Sequence, residues 1–147
     1  MKHLCKYFFL SVMITGCASN QDSVSALKNW DDKYYECFIV NKYPQSFPEN
    51  IWFNNLETED KKIVIGYLYN YNSRACIENE VNALKEALER EGNKSLIHIF
   101  EMDLSPLESA SFEAIKHLDQ NELQKLQKEY STPFNLSEVI ETLGLYN

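Results

Sequence analysis

Basic residues are in deficit: 14 Lys and Arg face 22 Asp and Glu, giving a formal charge of −8 and a pI near 4.9. Affinity for nucleic acid comes from clustered Lys and Arg that displace counterions from phosphates, so this balance excludes DNA and RNA as partners. Glycine and proline are sparse, with four of each. That is little for an all-β domain built on many tight turns, and it favours helices. No apolar run approaches the roughly 20 residues of a bilayer-spanning helix. The sequence also lacks a Gly-x-Ser-x-Gly elbow, a phosphate-cradling glycine loop, a dinucleotide fingerprint and a His-Glu-x-x-His pair. What remains is a chain of 147 residues, 44% hydrophobic and 13% aromatic, enough apolar surface for one folded domain.

The amino terminus carries an address. Lys2 and Lys6 make a short positive start, and the apolar run 7–14 follows, the layout of a secretory signal. At its end stands Ile14-Thr15-Gly16-Cys17. An aliphatic residue, two small residues and a cysteine in this order resemble the lipobox of bacterial lipoproteins. The resemblance implies that residues 1–16 are a signal peptide and that Cys17 is acylated and becomes the first mature residue. Ala18 and Ser19, in place of an Asp directly after the cysteine, resemble the outer-membrane class in a cell with two membranes. The expected location is the outer membrane, with the domain facing the periplasm. An ordinary cleaved signal, with Cys17 left to pair with another cysteine, is the competing reading.

Cys5 leaves with the signal, so Cys37 and Cys76 are the cysteines remaining once Cys17 is acylated. In an oxidising compartment such a pair is expected as a disulfide; two buried free thiols are the alternative. Processing removes Lys2 and Lys6 but no acid, taking the charge from −8 to −10. Such a charge can steer basic partners at long range, and solubility alone is the more frequent reading.

Residues 17–25 read as the acylated cysteine and a polar tether, and 26–147 as the domain. Leu27, Trp30, Tyr34, Cys37 and Phe38 recur at helical spacing until Tyr43-Pro44 ends the pattern. The segment 44–56 reads as a loop with one helical turn, pinned by Ile51, Trp52 and Phe53. Thr58 is a candidate cap for the longest element, which ends at Gly92. Its apolar stripe changes phase around 70–73, predicting a bend or burial on more than one side. A strand over 63–71 is the rival reading, because Ile63, Ile65, Tyr67, Tyr69 and Tyr71 alternate. Shorter helical patterns follow at 94–102, 107–118, from Asp119 or Asn121 to Tyr130, and from Ser137 to Gly144. The sum is an all-α bundle of about five or six helices with one disulfide.

Chemistry is hard to find. His98 lies among apolar residues and reads as a core or boundary histidine, and His117 as a helix-surface residue. The carboxylate pairs Asp31-Asp32, Glu78/Glu80 and Glu89/Glu91 point in different directions on a helix and read as solvated faces. No catalytic residue, metal site or cofactor is expected. Tyrosine and tryptophan are enriched at interfaces, which makes Trp52, Tyr67, Tyr69 and Tyr71 candidate partner-binding residues. The three alternating tyrosines cannot all sit on one side of a helix, so at least one is expected to be exposed or to meet a partner. The function expected is a non-enzymatic lipoprotein that binds another envelope protein. The alternative is an immunity or inhibitor lipoprotein that neutralises a basic secreted toxin or wall hydrolase.

Overall fold

Helices α1 (Ser23–Val40), α2 (Ile51–Asn54), α3 (Thr58–Cys76), α4 (Glu78–Arg90), α5 (Lys94–Ile99), α6 (Phe112–Ile115), α7 (Gln120–Glu129) and α8 (Leu136–Thr142) make up the secondary structure. The computed structural model describes residues 21–40, 46–107 and 112–146, and no strand occurs among them. The fold is all-α, as the sparse glycine implies. Cys17, the signal peptide and Tyr43 lie outside the described residues.

Among the described residues eight helices stand where the pattern suggested five or six, for two reasons. The loop turn at Ile51–Asn54 counts as a helix, capped by Asn50, whose side chain accepts from the Phe53 N–H at 2.9 Å. The long element is also divided. The break falls at Ile77, not at 70–73: Ile77 leaves helical geometry with φ −109° and ψ 9°, and its side chain is buried. Val64, Ile65, Leu68 and Asn72 are the buried face of α3, while Val81, Leu84, Ala87 and Leu88 are that of α4. These faces belong to different clusters, which one straight helix could not serve together. Segment 63–71 is helix throughout, so the strand reading falls.

Local signals set most boundaries. Gly92 (φ 65°) follows α4 with Gly92 N–H donating to Glu89 O and Asn93 N–H to Leu88 O, a pair of bonds that ends a helix on a left-handed residue. Asp119 caps α7 by accepting from the Asn121 and Glu122 N–H groups, and Asn135 caps α8. Some expectations fail. Glu57, not Thr58, precedes α3 and makes no side-chain cap. Ile51 is 82% exposed, so Phe53 and the half-buried Trp52 pin that turn. Helix α1 starts at Ser23, so 23–25 are helical and not tether. Ser23 donates from N and Oγ to the Glu91 carboxylate, which supplies the tertiary hold that local sequence could not reveal.

Two hydrophobic clusters fill the molecule. The first gathers Phe53, Val64, Ile65, Leu68, Ile115, Leu118, Leu123, Leu126, Tyr130, Phe134, Val139 and Leu145. Asn72 is buried beside it and donates to Tyr130 O (2.6 Å) and Thr132 O (3.1 Å), fixing the end of α7 to α3. The second cluster gathers Ala26, Cys37, Ile77, Val81, Leu84, Ala87, Leu88 and Leu104, with α1 lying along α4. The disulfide Cys37–Cys76 joins α1 to the end of α3, with Cα atoms 6.2 Å apart.

Candidate functional site

The tyrosines of α3 divide by helical geometry. Tyr67 and Tyr71 are four residues apart, so they stand one above the other, with ring centroids 5.8 Å apart. Tyr69 points elsewhere and meets Phe134 edge-on at 5.8 Å, at the rim of the first cluster. Trp52 packs against that same cluster. Of the four candidate residues, the structure therefore brings Tyr67 and Tyr71 together and leaves Trp52 and Tyr69 apart from them.

The Tyr67–Tyr71 pair forms a ridge between two clefts. On one side is a cleft of about 310 Å³ whose walls include Tyr34 from α1, Asn70 and Arg74 from α3, and Met102, Asp103 and Pro106 from the segment after α5. On the other side is a cleft of about 490 Å³, bounded by Gln120, Leu123, Gln124, Gln127 and Lys128 of α7. The Tyr67 hydroxyl bonds to Gln127 Oε1 at 3.2 Å, which sets the height of the ridge above α7.

Three fixings hold the first cleft open. Cys37–Cys76 fastens α1 to the end of α3 three residues beyond Tyr34, whose ring lines the cleft and stacks on Trp30 at 5.5 Å. Arg74 is mostly buried; Nη1 pairs with Glu78 across the α3–α4 break, and Nη2 donates to Ser105 O at 3.2 Å. That second bond ties the far wall to the floor. Ile77, buried at the break itself, lines the cleft. The surface so made offers tyrosine faces and hydroxyls, an amide, one carboxylate and the well-exposed thioether of Met102. Amphipathic rings with few rotamers, beside a flexible methionine, suit recognition of another protein.

The histidines stand away from these clefts. His98 is 86% exposed, with Nδ1 3.5 Å from Glu101, so it is a surface residue and not a core one. Its apolar neighbours misled, because α5 is too short to be buried all round. His117 is on the surface as expected, and its Nε2 lies 2.8 Å from Asp60 Oδ1 in the first turn of α3. No cluster of three or more His, Cys, Asp and Glu suited to a metal occurs among the described residues. No described helix is long and apolar enough to cross a membrane.

Sequence reasoning missed Arg74, Met102 and Asp103 as cleft residues and left Tyr34, one of the aromatic residues crowded into the first half of the domain, out of the partner-binding candidates. Tyr34 and Arg74 left a trace: Tyr34 lies one helical turn before Cys37, so a Cys37–Cys76 bond brings it near α3, and Arg74 lies one helical turn after Tyr71 on α3 itself. Met102 and Asp103 reach the cleft through a segment whose path no local pattern encodes. No protein-family model, curated protein or solved structure matches the chain.

Proposed function

We propose that the protein is a non-enzymatic lipoprotein of the cell envelope, held in the outer membrane by acylated Cys17, whose helical domain faces the periplasm and binds another envelope protein. The observation that carries this reading is the Tyr67–Tyr71 ridge with a cleft on each side, braced by the disulfide and by Arg74. A pre-braced aromatic ridge loses little entropy on binding. Placing a photo-crosslinking aromatic residue at position 71 in cells tests it, with position 69 as control. One envelope protein captured at 71 and not at 69 is the expected result. Equal capture at both positions, or none at 71, contradicts it.

A second reading rests on charge. The mature chain carries −10, and Asp103 adds a carboxylate to the first cleft, which favours a basic partner. On that reading the protein is an immunity or inhibitor lipoprotein acting on a basic toxin or wall hydrolase. The two separate on the captured protein: a secreted hydrolase, together with sensitivity of cells lacking the lipoprotein, selects the inhibitor.

A further inference from the structure

The start of the domain is tied down tightly. Arg90 Nη2 donates to Gln21 O, Ser23 is buried and bonded to Glu91, and Asp22 Oδ1 accepts from the Ser25 N–H at 2.8 Å. The chain is therefore held against the end of α4 from Gln21 onward. Only Ala18, Ser19 and Asn20 separate Gln21 from Cys17. Four residue steps span at most about 14 Å even when fully extended. If Cys17 is acylated, Gln21 stays within that distance of the lipid surface.

Beside this tied end lies a shallow apolar groove of about 450 Å³ lined by Val24, Leu27, Trp30 and Phe100, with Lys28 and Asp31 at its rim. Val24 is 78% exposed, and Ile99, next to Phe100 in the chain, is exposed as well. Trp30 meets Phe100 edge-on at 5.5 Å, and its buried indole N–H has no partner among the described residues. Tryptophan beside small aliphatic groups is the composition of surfaces that rest at a membrane interface.

We infer that this groove is the lipid-contacting face of the anchored domain, and that it rests on a zwitterionic bilayer surface. The inference depends on the acylated Cys17 of the proposed function. A tether this short gives an effective concentration in the millimolar range, so a weak apolar contact is enough to orient the domain. The rim decides the lipid class. Lys28 is paired with Asp32 at 2.5 Å, Asp31 adds a further negative charge, and the mature chain is acidic, so anionic head groups are repelled. Tyr34 lies ten residues beyond Val24 on α1, about 15 Å farther along the helix axis. Tyr34 also stacks on Trp30, with ring centroids 5.5 Å apart, so the first tyrosine cleft borders the groove.

The test uses the full processed protein extracted from membranes, carrying Trp52→Phe so that Trp30 is the remaining tryptophan. It is reconstituted into phosphatidylcholine vesicles whose acyl chains are brominated near the head group. Expected are co-flotation with the vesicles, quenching of Trp30, and loss of that quenching on Val24→Asp or when phosphatidylglycerol replaces part of the phosphatidylcholine. Val24 is exposed, so Val24→Asp leaves the fold intact, and unchanged helical circular dichroism verifies this. Failure to float overturns both the anchor and the contact. Flotation with Trp30 unquenched, or with quenching indifferent to Val24→Asp, overturns the contact alone.

Discussion

Of the two hydrophobic clusters, the one built on α3, α7 and α8 is closed by apolar burial and by the buried amide of Asn72, whereas the one built on α1 and α4 also carries a covalent bond. The reason is visible in what each helix brings. Helix α3 buries Val64, Ile65 and Leu68 completely, while α1 is 18 residues long and its fully buried apolar side chains, among those described, are Ala26 and Cys37. A helix with so thin a stripe gains little from packing, and most helical stability in proteins comes from packing. The disulfide compensates by restricting the unfolded chain. It also places Tyr34 in the cleft, so the feature that stabilises the weaker cluster builds one wall of the candidate site.

The largest test of this contrast removes the staple. The double variant Cys37→Ser, Cys76→Ser should lose about 4 kcal/mol, the chain-entropy value for a loop of about forty residues. Amide exchange should rise over α1 far more than over α7. If α7 opens equally, the clusters form one cooperative unit and the contrast fails. Next in size is Asn72→Ala, which removes the donations to the carbonyls of Tyr130 and Thr132 and should cost about 2–3 kcal/mol by denaturant unfolding. Here the exchange should rise at the α7–α8 junction and leave α1 unchanged.

Two substitutions, one in the first cluster and one on α3, should stabilise. The Tyr130 hydroxyl is buried without a partner among the described residues, and burial, followed by the charge of Glu138, pushes its pKa up to about 12. Tyr130→Phe should gain about 1 kcal/mol. Because the folded phenol holds its proton to higher pH than the unfolded one, wild-type stability falls between the ordinary value of 10 and about 12. The Phe variant lacks this loss, which thermal melts across that range would show. Gly66→Ala, where a Cβ meets nothing within 4 Å in mid-helix, should add about 1 kcal/mol.

The smallest effect is at the tied end of α1. Side-chain and then backbone hydrogen bonds from Ser23 hold the Glu91 carboxyl below its ordinary 4.5. Their contribution is present above that value and is lost as pH falls through the lowered pKa. Acid should therefore lower amide protection, measured relative to the intrinsic exchange rate at each pH, at the first turn of α1 before it affects α4, and Glu91→Ala should produce the same local fraying at neutral pH.

How far the sequence could be read follows from the range of each interaction. Helical spacing, the Gly92 stop and the Asp119 cap are local, and they place α1, the end of α4 and α7 closely. The cysteine count yields the Cys37–Cys76 pair through compartment chemistry. The exclusion of Tyr69 from the face of Tyr67 and Tyr71 also follows from spacing alone. The break at Ile77 does not, since it is set by two clusters pulling on one element, and the 70–73 segment holds the buried Asn72 instead of a bend. His98 reads as a core or boundary residue from its apolar neighbours and is instead on the surface, because flanking apolar residues say nothing about the length of the helix they occupy. The cleft walls at Arg74 and 102–107 depend on tertiary contacts at separations no window spans.

The intact mass of the protein extracted from membranes, taken after alkylation without reduction, bears most directly on the account as a whole. Acylation at Cys17 together with a closed Cys37–Cys76 bond requires a chain that starts at Cys17, carries the added acyl mass and takes up no alkylating reagent. A chain that retains residues 1–16, a first residue without lipid, or two alkylated thiols would contradict it.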